Sequence, residues 1–373
     1  MRKIKKRFLE NKMIYPDLKI VPAFLKYDYG IKERGESLEK TFFVPELEKI
    51  FGKVTPFWLE ENGLPDNIKG LQDKLIEFVE IEKPDIVFFV LMKDEITQET
   101  LSKLKTLTTT VNWFCDDQWR FESFTKNIAP LLSYSITVDK HSLSKYKEIG
   151  YNNVLLSQWA SFVYEKDFSP EKTEYLYDVS FIGGKNNTRA WYIKELEKSG
   201  IKVECFGAGW KNGRVSFEKM KEIFQRSKIN LNLSNSLPYD IRFYRYLKKL
   251  PLGWNIFKPI CFLKSVKRKF FSRFLYSQKN AEQIKARNFE IPGCGGFQLS
   301  NFVLEIEDYF DIGKEIAVYS SIDELKKQIK YYLENENERE AIKKKGFLRA
   351  EKYNYYEKFK EIFKKTTKNK NSC

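Results

Sequence analysis

QIKARNFEIPGCGGFQLSN occupies residues 283–301, and the rest of the chain can be read outward from it. Lys285, Arg287 and Glu290 fall within two helical turns. Pro292 and the glycines Gly293, Gly295 and Gly296 then break the pattern, and residues 297–299 are apolar enough to form a strand. A carboxylate on a helix turn can accept two ribose hydroxyls while a neighbouring arginine or lysine neutralises a diphosphate, the pairing that a nucleotide-sugar site needs. Taken alone, R-x-x-E is equally a capped helix with a surface ion pair.

Context comes from the alternation on either side. Strand-like apolar runs at 177–182, 202–206, 228–233, 296–299 and 316–318 alternate with helical patterns at 189–198, 217–226 and 322–333. The first half repeats the rhythm, with strands expected at 18–24, 54–58, 85–91, 109–114, 135–138 and 153–157 and helices at 70–80 and 141–148. Such alternation predicts an α/β fold of two Rossmann-like, doubly wound domains facing a cleft. Boundaries are placed at 1–165 for an N-terminal domain and 166–350 for a C-terminal one, the latter with a basic, aromatic insertion at 237–280. Residues 351–373 form a final helix and tail. The polar linker YEKDFSPEKTEY separates the halves.

Two turns of the second half suit an anion. In DVSFIGGKNNTRAWYIKEL a strand runs into Gly183 and Gly184 before a helix begins, so backbone N–H groups there can approach phosphate with Lys185 or Arg189 as counter-charge. CFGAGW places Gly207 at the end of the next strand. Neither matches GxGxxG or a Walker loop, and a strand-to-helix turn needs glycine for geometry alone. In the first half, Asp116 and Asp117 end a strand. They are adjacent rather than spaced as a metal-binding pair, so at most one faces a substrate, as general base or acceptor-orienting group, unless they cap the following turn. Gly30 and Gly35, with Glu39, follow the first strand, either as an ordinary loop or as one that a two-domain fold of this kind brings over the donor phosphates. His141, the only histidine, opens a helix and reads as a surface or capping residue.

FEIPGCGGFQL and FDIGKEIAVYSSIDELKKQIKYYLENENEREAIKKKG, after DVSFIGG and SKINLNLS, resemble the C-terminal half of the spore-maturation (CgeB-type) glycosyltransferases, a branch of the GT-B group 1 superfamily. NWFCDDQWRFESF and YDYGIKERGESLE in the first half are similar to the same family. The resemblance implies a nucleotide-diphosphate sugar bound mainly by the second domain, no cofactor and no obligatory metal. It places Glu290 on the donor ribose, Glu282 at the x7 spacing before it, and Arg287 and Lys285 on the diphosphate. Gly183 and Gly184 would contact the diphosphate through the backbone, and Gly293 to Gly296 would let the chain pass close to the donor. The expected reaction is sugar transfer to a cell-envelope or lipid-linked glycan. Alternatives are a nucleotide-sugar epimerase and a non-catalytic glycan-binding or scaffold protein.

Composition narrows the setting. Among 373 residues with a formal charge of +15, the stretch from Asp240 to Asn280 holds eleven Lys/Arg against one acid, together with ten aromatics. Phe262, Val266, Phe270 and Phe274 recur every fourth residue, giving an amphipathic basic helix. Residues 243–276 therefore read either as a peripheral contact with anionic membrane or as an insertion packed on its own domain. Nucleic acid is not expected as a partner, because no binding motif accompanies the charge. Five scattered cysteines without a CxxC spacing argue against disulfides and zinc, and no apolar run is long enough to span a bilayer. A cytoplasmic, possibly membrane-associated protein is expected.

Overall fold

The computed structural model describes residues 13–162, 174–234 and 282–367. The chain divides into two compact units, one built from its first part and from residues after 350, the other from the stretch between.

The first unit is a parallel sheet. Its strands are β1 (Tyr15–Phe24), β2 (Phe51–Val54), β3 (Phe57–Trp58), β4 (Ile86–Phe89), β5 (Thr109–Phe114), β6 (Tyr134–Thr137) and β7 (Val154–Leu156), in the order β2-β1-β4-β5-β6-β7 with β3 also on β1. The expected strand at 54–58 is in fact two, β2 and β3, because Thr55 and Pro56 interrupt the pairing. Alternation along the strands divides the apolar residues between two faces. Val21, Ala23, Val87, Phe89 and Leu91 pack with Leu71, Leu75, Leu101 and Leu104 of the helices Ile68–Glu82 and Gln98–Leu107. The opposite face is closed by the last helix, Tyr355–Thr367, whose Phe359 meets Phe43, Phe88 and Trp113 at ring separations of 4.9, 5.8 and 6.1 Å. The end of the chain thus supplies core to the unit that its beginning builds.

The second unit is a parallel sheet of β8 (Tyr177–Ile182), β9 (Glu204–Phe206), β10 (Ser227–Asn232), β11 (Gln298–Asn301) and β12 (Ala317–Tyr319), ordered β12-β11-β10-β8-β9. β10 at its centre bonds to β8 and β11 on either side. One face is apolar: Val179, Phe181, Ile229, Leu231, Phe297 and Leu299 bury Ile193, Leu196, Leu325 and Ile329 of the helices Asn187–Glu197 and Ile322–Glu334. The other face carries a buried polar set, Ser180, Asn230, Asn232, Gln298 and Ser300. Helix starts follow their sequence signals, since the side chains of Asn186, Ser216 and Ser321 each accept the N–H of the residue three positions on.

Candidate donor-binding site

The carboxyl ends of parallel strands are where such sheets bind ligands; in the second unit Gly183, Gly184 and Gly207 follow the carboxyl ends of β8 and β9, whereas Gly293, Gly295 and Gly296 precede β11 at its amino end. After β8 the chain turns at Gly183 and Gly184. Gly183 N–H donates to Phe206 O, and its own carbonyl accepts from Trp210 Nε1 at 2.8 Å. Gly207, at φ +120°, lies so close that a Cβ would sit 2.4 Å from Gly183 O. Glycine is therefore required at this contact for close approach as well as for φ. Gly184 faces open space. Lys185 donates its N–H to Ala208 O and lays its ammonium 5.0 Å over the Trp210 ring.

Arg189 reaches back from the first turn of its helix. Nε donates to Leu233 O at 2.9 Å and Nη1 to Gly184 O at 2.8 Å, with the guanidinium 5.5 Å over Phe181. Burial, and secondarily the charge of Arg287, pull its pKa down to about 10. Those bonds go to neutral carbonyls, so this cation is desolvated next to a second one. An anion would relieve that cost.

The helix Arg287–Gly293 lies on the polar face of the sheet, where Asn288 Nδ2 donates to Ser300 Oγ at 3.2 Å and Asn288 Oδ1 accepts from Lys285 N at 3.0 Å. Arg287 pairs with Glu290 at 2.5 Å and stacks over Phe224. The two residues are thus bound to each other, and Glu290 is only 6% exposed. Lys285 is half-buried. Gly293 and Gly295 are buried, Gly295 at φ +75°. At Gly296 the close approach is to the protein itself: a Cβ would stand 2.7 Å from Asn230 Nδ2 and 3.0 Å from Phe224 O. This glycine lets the chain pass close to β10 and its preceding helix, a packing role in place of the donor contact expected from the sequence. Glu282 receives the Asn301 amide.

In the first unit, Asp116 and Asp117 separate as adjacent residues should. Asp117 is fully buried, accepting from Thr125 Oγ1 at 2.6 Å and from the Tyr146 hydroxyl at 2.7 Å, and burial pushes its pKa up to about 6. With both oxygens engaged in the core, Asp117 serves as a strut, which corrects its expected catalytic role. Asp116 is half-buried and lines a small pocket with Met92, Cys115 and Arg120. Gly30 and Gly35, at φ +73° and +85°, belong to the loop after β1, closed by a bridge between Tyr27 and Glu36. Burial pushes Glu39 beside it up to about 7. His141 is exposed at the N-cap of Ser142–Glu148, and its imidazole makes no cap bond.

The polar ladder under the 287–293 helix went unread in the sequence, although SKINLN, with Asn230 and Asn232 two positions apart on a buried strand, is its signal. Asn230 accepts from Ser180 Oγ at 3.0 Å and donates to Phe224 O at 2.9 Å, and Asn232 donates to Ser300 Oγ at 3.2 Å. Among the described residues no group of three metal-ligating side chains gathers, and no helix is long and apolar enough to cross a membrane.

Residues 261–363 match a family model described as Glycosyl transferase-like. Anabaena HepE in complex with UDP-glucose superimposes with a TM-score of 0.56 at 11% identity, covering 94% of this chain and 99% of that one. The fold is GT-B. Sucrose-phosphate synthase from Thermosynechococcus elongatus shares the GT-B fold at a TM-score of 0.60 and 6% identity, covering 93% and 98%. The lipopolysaccharide outer core galactosyltransferase WaaB does so at 0.54 and 11%, covering 93% and 99%. Curated proteins give no match by sequence. The GT-B architecture makes two Rossmann-like domains the reading of both units, in agreement with the strand-and-helix rhythm of the sequence.

Proposed function

We propose that the protein moves a sugar from a nucleotide-diphosphate sugar to a glycan acceptor of the cell envelope or on a lipid carrier, as a CgeB-type member of the GT-B group. The observation that carries this reading is Arg189: a desolvated guanidinium bonded to two carbonyls, at the carboxyl end of β8 and beside Arg287. Two cations at the end of a parallel sheet, next to a glycine turn with open space at Gly184, suit a diphosphate.

In this proposal Arg189 and Arg287 offset the charge that grows on the diphosphate as the bond from the anomeric carbon to its oxygen breaks. Glu290 steers Arg287 and accepts the ribose hydroxyls, Glu282 meets the sugar, and the Gly183–Gly184 turn offers backbone. Lys285 adds long-range positive charge. An acceptor hydroxyl attacks the anomeric carbon and gives up its proton, in an inverting reaction to Asp116. The loop of Gly30 and Gly35 covers the donor.

The basic aromatic stretch 243–276 lies outside the described residues. It is proposed as the contact with anionic lipid that would bring a cytoplasmic enzyme to such an acceptor. Deleting 243–276 should then abolish liposome binding, and full retention would remove the suggestion.

A thermal-shift screen against UDP, GDP, ADP, CMP, dTDP and their sugar conjugates, with and without EDTA, tests the donor reading. A ligand at 100 times its Kd should stabilise by about 2.7 kcal/mol. Conversion of a donor without acceptor would point to an epimerase, and no shift with any of them would overturn the proposal in favour of a scaffold.

A further inference from the structure

Asn301, the last residue of β11, is 4% exposed, and its amide joins residues distant in sequence. Oδ1 accepts from Ser234 N at 2.9 Å and from Ser234 Oγ at 2.8 Å, while Nδ2 donates to Glu282 Oε2. One buried amide thus ties Ser234 to Glu282, 48 positions apart in the chain. The network also settles the amide's orientation. Ser234 N–H can only donate, so the oxygen faces Ser234 and the nitrogen is left for the carboxylate.

We propose that Asn301 is a positioning residue for the sugar moiety of the donor, acting by holding the Glu282 carboxylate at the carboxyl end of the sheet. The proposal rests on the donor-site reading above and names the residue on which its sugar contact depends. An amide is the side chain of this size that can receive two donors on one side and give a hydrogen bond to a carboxylate on the other. An aspartate could still serve Ser234 but would repel Glu282, and a leucine would serve neither. The neighbourhood supports the ligand class. Glu282 and Arg189 both lie close enough to bear on the Tyr319 hydroxyl, which is buried at the end of β12 and has no hydrogen-bond partner among the described residues. An unpartnered buried hydroxyl is costly, and a sugar hydroxyl held by Glu282 would supply the missing partner.

Asn301→Asp targets the relevant bond, because it keeps an acceptor for Ser234 while it removes the donor to Glu282 and sets a second carboxylate against it. Affinities of the full chain for UDP, GDP and ADP and for their glucose conjugates, measured by calorimetric titration, give the ratio of sugar nucleotide to nucleotide binding. The variant should lower that ratio about tenfold, the value of one hydrogen bond to a charged group, while binding of the bare nucleotide stays within about twofold. As the pH falls, the introduced carboxyl takes up a proton, donates to Glu282 again, and the ratio should recover. Ser234→Ala, which leaves the Glu282 bond in place, should keep the native ratio. An unchanged ratio in Asn301→Asp, or a parallel loss of both affinities with a lowered Tm and no recovery in acid, would overturn the positioning role. Native protein that binds none of the six probes would instead remove the donor reading and this role together.

Discussion

Arg189→Met separates a binding cation from a structural one. Burial and Arg287 move the guanidinium from 12.5 to about 10, which corresponds to roughly 3 kcal/mol of preference against the charged form. Two bonds to carbonyls, at about 1.5 kcal/mol each, return a similar amount. Removing the side chain therefore deletes a cost and a compensation of like size, and stability should change by no more than about 1 kcal/mol. Diphosphate binding has no such offset. Losing one charge-assisted contact of 1.5 to 3 kcal/mol should weaken the preferred nucleoside diphosphate roughly 10- to 150-fold. The assay is calorimetric titration with the nucleotide that gives the largest native thermal shift, run beside urea unfolding of both proteins. A Kd within about threefold of native, with the fold intact, would refute the reasoning and leave Arg189 as a brace for the Gly184 and Leu233 carbonyls.

Other expectations follow from the same geometry. Arg287→Met strips a nearly buried Glu290 of its partner, and unfolding should show a loss of about 1 to 3 kcal/mol in addition to weaker donor binding. Gly207→Ala puts a methyl 2.4 Å from Gly183 O at a φ of +120°; nucleotide titration should show weakened binding from the displaced turn. Asp117 titrates near 6 when folded against an ordinary 3.8, so the contribution it makes is full below about pH 4 and is lost as pH rises through 6. Asp117→Asn should remove that slope, worth roughly 3 kcal/mol, from a series of unfolding curves between pH 4 and 7. Phe359→Ala opens the aromatic face of the first sheet and should cost about 3 to 5 kcal/mol in urea unfolding.

Local patterns made the alternation of strands and helices readable from sequence. Apolar runs of strand length and glycines at 183, 207 and 295 each act within a few residues, so their physics is written in the chain itself. The segment 283–301 was likewise legible as a charged helix breaking into a strand. Tertiary structure alone decided what those charges meet. Of the two sequence readings of Arg287 and Glu290, an ion pair or separate ligands for ribose and diphosphate, the fold forms the ion pair; Arg189, one candidate counter-charge among several, is buried beside Arg287 with its bonds on neutral carbonyls. Asp116 and Asp117, indistinguishable in sequence, part because Asp117 is fully buried with both oxygens held by Thr125 and Tyr146, while Asp116 stays half-buried, although both border the same small pocket. Asn301 was invisible beforehand, since its partners stand 67 and 19 residues away. Desolvation and ion pairing depend on which distant groups come within a few ångströms, and only the folded chain sets those distances.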